Sequence, residues 1–229
     1  MKKISEYIAQ IPLFKGMRGD HYDELAMIVV DQEVPRGKLL FSEGDPGNGF
    51  FVIVSGRIKI FKLSIDGKEQ ILHILGPGEP FAEVAVFTGS SYPANAMALE
   101  KSRLFFFPRK AFVELIGEHP SLAMNMLATL SFRLKQFTHM IEALSLKEVP
   151  GRLAAYVLLA GEKGEDDTNV ELAVSKTQLA SLLGTIPETL SRILTKMNKQ
   201  GILDVDGGRI RILNREKLMA LAEGEARLA

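Results

Sequence analysis

The sequence predicts an α+β chain. An N-terminal antiparallel β-roll (a jelly roll) leads into a long coiled-coil dimerisation helix and a C-terminal winged helix-turn-helix. Three observations predict it. Glycines at Gly44, Gly56, Gly67 and Gly78 punctuate short β-rich runs at the spacing of a small sandwich or barrel. Leu127, Leu130, Leu134, Phe137, Ile141 and Leu144 alternate three and four apart, as in a coiled-coil seam. Across 175–200 two short helical patterns flank Gly184, and an arginine-bearing hairpin follows.

The elements follow in order. Residues 4–31 read as helical, with Leu25, Ile28 and Val29 at helical spacing and breaks at Gly16 and Gly19. From 32 to 108 the pattern is β. Strands are expected at 38–41, 49–54, 57–63, 69–75, 94–98 and 102–108, with turn residues between them. Asp66-Gly67 predicts a type I′ hairpin turn, whose two central positions need positive φ. These strands read as a jelly roll. A short helix at 109–118 is broken by His119-Pro120. The seam helix, 121–146, would be about 39 Å long. Its heptad pattern predicts a homodimer, the plainer alternative being an amphipathic helix on a core. Val149-Pro150-Gly151 then breaks the chain. The expected domains are a sensor roll at 1–120, a dimerisation helix at 121–148 and a DNA-binding domain at 149–229.

In that last domain, a helix at 152–161, an acidic loop at 165–167 and a strand at 170–174 lead into the helix-turn-helix. Ser175 is a good N-cap for a helix carrying Leu179, Ala180, Leu182 and Leu183. Gly184 suits a left-handed C-cap, and Thr185 is the expected cap of a second helix with Pro187 in its first turn. That helix turns Leu190, Ile193, Leu194 and Met197 inward. Glu188, Ser191 and Arg192 are the candidate base readers, since Arg pairs with guanine and Glu accepts from cytosine. Glu188 and Arg192 are four apart, so a surface ion pair is the plainer alternative. Thr189, Lys196 and Lys199, with Arg209 and Arg211 on the hairpin wing, are the candidate phosphate contacts.

Composition bounds the rest. The 229 residues carry 28 Lys/Arg and 28 Asp/Glu, for zero net charge. Seven Lys/Arg stand against three acids across 175–215, so the basic character is local. No cysteine is present, which excludes disulfides, thiol catalysis and cysteine-held iron–sulfur clusters or zinc. No apolar run is long enough for a membrane span, and no signal-peptide core follows the basic start. A cytoplasmic location with no membrane partner is expected.

The order of parts resembles the CRP/FNR superfamily over nearly the whole chain. The residues that carry it are Gly44-Asp45, Val54-Ser55-Gly56, Gly76-Pro77-Gly78-Glu79, Phe81-Ala82-Glu83, Leu179-Ala180-Ser181-Leu182-Leu183-Gly184 and Pro187-Glu188-Thr189-Leu190-Ser191-Arg192. The resemblance implies a dimer that binds a palindromic double-stranded DNA site and contacts RNA polymerase. It implies TTGAT- or TTGAC-like half-sites from Glu188, Ser191 and Arg192. Departures set the branch. Cyclic-AMP binders hold the cyclic phosphate with an Arg-Ser pair about ten residues after their Phe-x-Gly-Glu-type stretch. Here Pro93-Ala94 stands there, and an unpaired buried phosphate is costly, so cyclic AMP is not expected.

The chain is similar to the cysteine-free nitrosative-stress branch, which includes the dissimilative nitrate respiration regulators and regulators of the hybrid-cluster protein. That likeness implies haem-borne sensing of nitric oxide. The expected effector pocket is formed by Phe81, Glu83, Tyr92, Pro93, Leu134, Phe137, Thr138 and Ile141, with an apolar wall from Tyr92, Pro93, Leu134, Phe137 and Ile141. Candidate iron ligands are His21, His73, His119, His139 and Met140, each with surface or packing roles as alternatives. Two competing readings are a cupin-like metal enzyme and a non-DNA-binding regulatory subunit. The first has a thin ligand set, His73 with Glu79 and Glu83. The second leaves the helix-turn-helix without a purpose. No enzymatic activity is expected.

Overall fold

The structure, a computed structural model, describes residues 2–15, 17, 19–162, 168–172 and 174–228. The breaks expected at Gly16 and in the acidic loop at 165–167 lie outside them. The chain divides into two compact units, Met1–Leu134 and Lys135–Ala229. The division falls inside the long helix α5 (Pro120–Leu146) rather than at either of its ends.

Two strands organise the first unit. β3 (Gly49–Ser55) and β8 (Ser102–Pro108) pair antiparallel, setting Phe50 opposite Phe107, Phe51 opposite Phe106 and Ile53 opposite Leu104. Side chains alternate across a strand, so each strand serves two cores. Phe50, Val52, Phe105 and Phe107 meet Ile8, Phe14, Leu25, Phe112, Leu115 and Leu122 from the flanking helices. These helices are α1 (Lys2–Gln10), a 3-10 turn at Pro12–Phe14, α2 (Gly19–Ile28), α4 (Arg109–Glu118) and the start of α5. Phe51, Ile53 and Leu104 face the other way, toward Phe41, Ile58, Leu75, Phe81 and Ala96.

That second core lies between two four-stranded sheets, as expected for a jelly roll. One sheet has the order β1-β8-β3-β6, with β1 at Val30–Val34 and β6 at Pro80–Phe81. The other has the order β2-β7-β4-β5. Its strands are β2 (Leu39–Phe41), β4 (Ile58–Leu63), β5 (Glu69–Leu75) and β7 (Asn95–Ala98).

The roll departs from expectation at three places. Residues 30 and 31 are strand, not helix, because β1 finds a partner in β8. Arg103 of β8 donates to both Asp31 carboxylate oxygens, at 3.0 and 2.6 Å. The short β6 and α3 (Val84–Thr88) carry no periodic signal of their own. At Asp66-Gly67 only the glycine has positive φ, at 75°. The Gly67 N–H donates to the Ser64 carbonyl at 2.9 Å, closing a longer loop whose left-handed residue is the glycine, so the turn is not type I′. At Gly56, φ is 91° and a Cβ would fall 2.1 Å from Ser102 Oγ, so no other residue fits this turn.

In the second unit, α6 (Val149–Glu162) and α9 (Arg215–Glu223) flank the helix pair α7 (Lys176–Leu182) and α8 (Pro187–Lys199). A three-stranded antiparallel sheet completes it, in the order β10-β11-β9, with β9 at Asn169–Glu171, β10 at Leu203–Asp206 and β11 at Arg209–Ile212. Leu153, Val157, Leu179, Leu190, Met197, Leu203, Ile210 and Leu218 share one core. The break before α6 comes at residues 147 and 148, ahead of Pro150 and Gly151, which sit in its first turn. Proline is tolerated there because its missing N–H has no helical partner to lose. A Cβ on Gly151 would stand 2.8 Å from the Leu221 carbonyl of α9, so the glycine lets the two helices close.

Among the described residues no helix is long and apolar enough to cross a membrane. The two-core arrangement makes Phe107 critical, since its ring lies within 6 Å of those of Phe14, Phe50 and Phe112. Phe107→Ala is expected to cost about 3–5 kcal/mol in a urea unfolding titration.

Candidate nucleic-acid interface and β-roll site

The helix-turn-helix is built by local rules. Ser175 caps α7 through a reciprocal box. Its Oγ accepts from the Gln178 N–H at 3.2 Å, and its own N–H donates to Gln178 Oε1 at 2.9 Å. Gly184 takes φ 65°, and the Thr185 N–H donates back to the Ala180 carbonyl at 2.9 Å, turning the chain. The N-cap of α8 is Ile186, with no side-chain cap, and not Thr185. Pro187 at the first helical position supplies the preset φ instead.

α8 is strongly two-faced. Leu190, Ile193, Leu194 and Met197 are buried. Glu188, Ser191, Arg192, Lys196 and Lys199 are exposed, and Thr189 is half-buried. Among the described residues no ion pair joins Glu188 to Arg192. Thr195 spends its hydroxyl on the Ser191 carbonyl at 2.9 Å. Arg192, Thr195, Lys196 and Lys199, with Pro150 and Leu228, line an open groove of about 590 Å³. On the wing, Ile210 and Ile212 point inward while Arg209 and Arg211 are exposed. The predicted phosphate contacts therefore stand on accessible faces, where cations reach a polyanion.

The β-roll holds a second cluster. Phe81 stacks on Phe51 with ring centres 5.0 Å apart, and Phe41 stacks on Tyr92 at 3.9 Å. Tyr92 is buried and donates its hydroxyl to the Gly49 carbonyl at 3.0 Å. Burial pushes the Tyr92 phenol above its ordinary pKa. Glu83 is 4% exposed and forms an ion pair with Arg133 of α5. Arg133 also donates to the Pro80 carbonyl. A buried carboxylate is retained only with such partners.

Ala82, between Phe81 and Glu83, has φ 65°. Among the described residues it is the one non-glycine with positive φ. An alanine there is strained by about 1 kcal/mol relative to glycine. His73, on β5, is lowered from its ordinary 6.5 to about 4, by burial first and by the Arg133 charge second.

The sequence-predicted pocket residues thus fall in different settings. Phe81, Glu83 and Tyr92 are inside the roll, while Pro93 and Leu134 are exposed. Phe137, Thr138 and Ile141 lie on the part of α5 that belongs to the second unit. Beside Phe81 and Tyr92 the roll also holds the Glu83–Arg133 pair. Arg133 carries no local signature in the sequence, where it is one of two cations, with Lys135, beside the heptad seam. Of the candidate iron ligands, His73 is in the roll. His21 and His119 stack on each other at 3.6 Å, His139 is exposed, and Met140 is half-buried.

Comparison with known proteins gives this geometry a family. The cyclic nucleotide-binding domain matches residues 31–119, and the Crp-like helix-turn-helix domain matches 151–221. The chain is 29% identical over 215 residues to the cyclic AMP receptor protein of Thermus thermophilus, spanning 94% of this chain and 98% of that one. It is 31% identical over 222 residues to the fumarate and nitrate reduction regulatory protein of Vibrio cholerae, spanning 94% and 88%. The chain belongs to the CRP/FNR family. The crystal structure of DNR from Pseudomonas aeruginosa superposes with a TM-score of 0.51 at 32% identity, covering 96% of this chain and 98% of that one.

As a CRP/FNR regulator, the chain is a DNA-binding transcription regulator and not an enzyme. The cupin reading falls with the relatives, and the regulatory-subunit reading falls with the matched helix-turn-helix. Its exposed α8 and wing are the DNA-facing elements of such a domain.

The buried imidazole makes stability depend on pH. Below 6.5 the unfolded chain takes up a proton that folded His73 refuses until about pH 4. Stability should therefore fall as pH drops through that window, by about 2 kcal/mol after allowance for partial solvent access. The difference between wild type and His73→Asn in urea titrations from pH 7 to pH 4 reads this contribution. Parallel pH profiles for the two proteins would contradict it.

Proposed function

We propose that the chain acts as a homodimer that reads a two-fold symmetric DNA site, with an effector sensed at the Glu83–Arg133–His73 cluster of the roll. The observation that supports the dimer is the uncovered seam of α5. Leu127, Leu134 and Ile141, seven apart in turn, are 55%, 68% and 64% exposed. Covering one such side chain is worth about 1.5–3 kcal/mol, so a second copy of α5 is the natural occupant. Leu130, Phe137 and Leu144 complete the heptad pattern. Two-fold symmetry then presents two copies of α8 to successive major-groove faces about 34 Å apart. Arg192 reads guanine, Glu188 accepts from cytosine and Ser191 assists. Lys196, Lys199, Arg209 and Arg211 grip phosphate. Contact with RNA polymerase completes the role that the family implies.

For the effector, the Thermus relative is a cyclic AMP receptor by name. Pro93-Ala94 supplies no phosphate-holding cation here, and Arg133 is already spent on Glu83. The reading is therefore a ligand other than cyclic AMP. Haem-borne sensing of nitric oxide has one observation in its favour. His73 is kept neutral by burial, which is the ligating form of imidazole. Haem would supply a gas-binding iron, and His73 would hold it. A Soret band that shifts with nitric oxide and is lost in His73→Asn is the expected result. No stoichiometric haem uptake would leave the roll to a small organic effector.

Two measurements check the DNA and dimer assignments. Arg192→Ala should lose about 1–3 kcal/mol of discrimination at one base position of a selected operator, measured by fluorescence anisotropy. Equal affinity for all four bases in both proteins would reject the base-reading role. Leu134→Glu should convert the dimer to a monomer in light scattering while leaving the far-ultraviolet circular dichroism unchanged.

A further inference from the structure

We propose that Glu24, Glu118 and His119 form a binding site for a divalent transition-metal ion such as Zn²⁺ in the first unit, with His21 as an adjacent donor. The three side chains come from α2, from the last residue of α4 and from the residue between α4 and α5. One donor atom from each lies within 4.8 Å of the others. In a tetrahedral zinc site with bonds of 2.0–2.1 Å, donors stand about 3.4 Å apart. Closing the set needs only small side-chain rotations. His119 Nε2 is already 2.9 Å from Glu24 Oε2.

The ligating imidazole is held in place before any ion arrives. The His119 N–H donates to the Leu115 carbonyl at 2.9 Å, and its own carbonyl accepts from Leu122 at 3.0 Å. Pro120 follows and restricts its backbone. The His21 ring packs on the His119 ring with centres 3.6 Å apart and planes 35° apart. Both side chains are largely buried, at 14% and 15% exposure. Two imidazoles stacked among Asp20, Glu24 and Glu118 give a mixed nitrogen and oxygen donor set with net negative charge. A hard sodium or magnesium ion prefers oxygen alone, whereas this set matches zinc and its neighbours. None of its residues belongs to the roll cluster, the seam or α8. Its occupancy would tie α2 to the base of the long helix.

The test is isothermal titration of the full-length protein with Zn²⁺ alone, beside Glu24→Gln and His119→Gln. Glu24→Gln keeps the shape of the side chain and its hydrogen bond to His119, so folding is preserved. Thermal melting without metal verifies that in both variants. The expected result is about one ion per chain, with affinity at least ~10-fold weaker in each variant. Zn²⁺ should also raise the melting temperature of the wild type more than that of either variant. Failure of the wild type to bind Zn²⁺ at 100-fold molar excess would overturn the proposal. Binding of equal strength in both variants would also overturn it, by placing the ion elsewhere.

Discussion

The pairing of β3 with β8 is the contact from which the first unit is organised. Both strands are buried on both faces, so their alternating side chains feed two cores at once. One face carries Phe50, Val52, Phe105 and Phe107 to the helices, and the other carries Phe51, Ile53 and Leu104 to the facing sheet. A one-residue slip in register would exchange the two sets and leave neither core with the right shapes. The start of α5 joins the helical core through Leu122 and Met126, so the long helix is rooted in this pairing.

From that root, α5 leaves the core with an apolar seam and one cation turned toward the roll, Arg133. Arg133 is drawn back into the roll by buried Glu83, across 50 residues of sequence. The pair joins the β6–α3 corner to the helix, and it stands beside His73 and the strained Ala82. Charge, strain and a displaced titration meet at one corner of the roll. Such features are costly in a core built only for stability, and they concentrate where a ligand is read. A ligand that competes for Glu83 or Arg133 would act directly on α5.

The DNA-binding unit rests on simpler terms. The capping box at Ser175, the left-handed Gly184 and the preset Pro187 fix the angle at which α8 leaves α7. A four-residue apolar stripe holds α8 down, and every side chain assigned to base reading falls on the opposite face. The wing repeats that logic with a strand period, alternating Ile210 and Ile212 with Arg209 and Arg211. Recognition chemistry is thus placed by burial rather than by contacts of its own.

The sequence by itself determined the kinds of element, the heptad seam, the helix-turn-helix with its wing, and most strand positions. Those features are written in local periodicity and in cap and turn residues that act within a few positions. It did not determine that Val30 and Asp31 join a strand, because β1 is polar and owes its state to Arg103 and β8. Nor did it determine the turn at Asp66, where the longer loop is set by the register of β4 and β5. Thr185 yielded its capping place to Ile186, since Pro187 already fixes the helix start. The tertiary structure alone decided that Glu83 meets Arg133, and that Glu24 and His21 of α2 meet His119. The partners of each pair lie 50 to 98 residues apart in sequence. A lone charged or imidazole side chain has no period, so only the packing of distant elements reveals its partner.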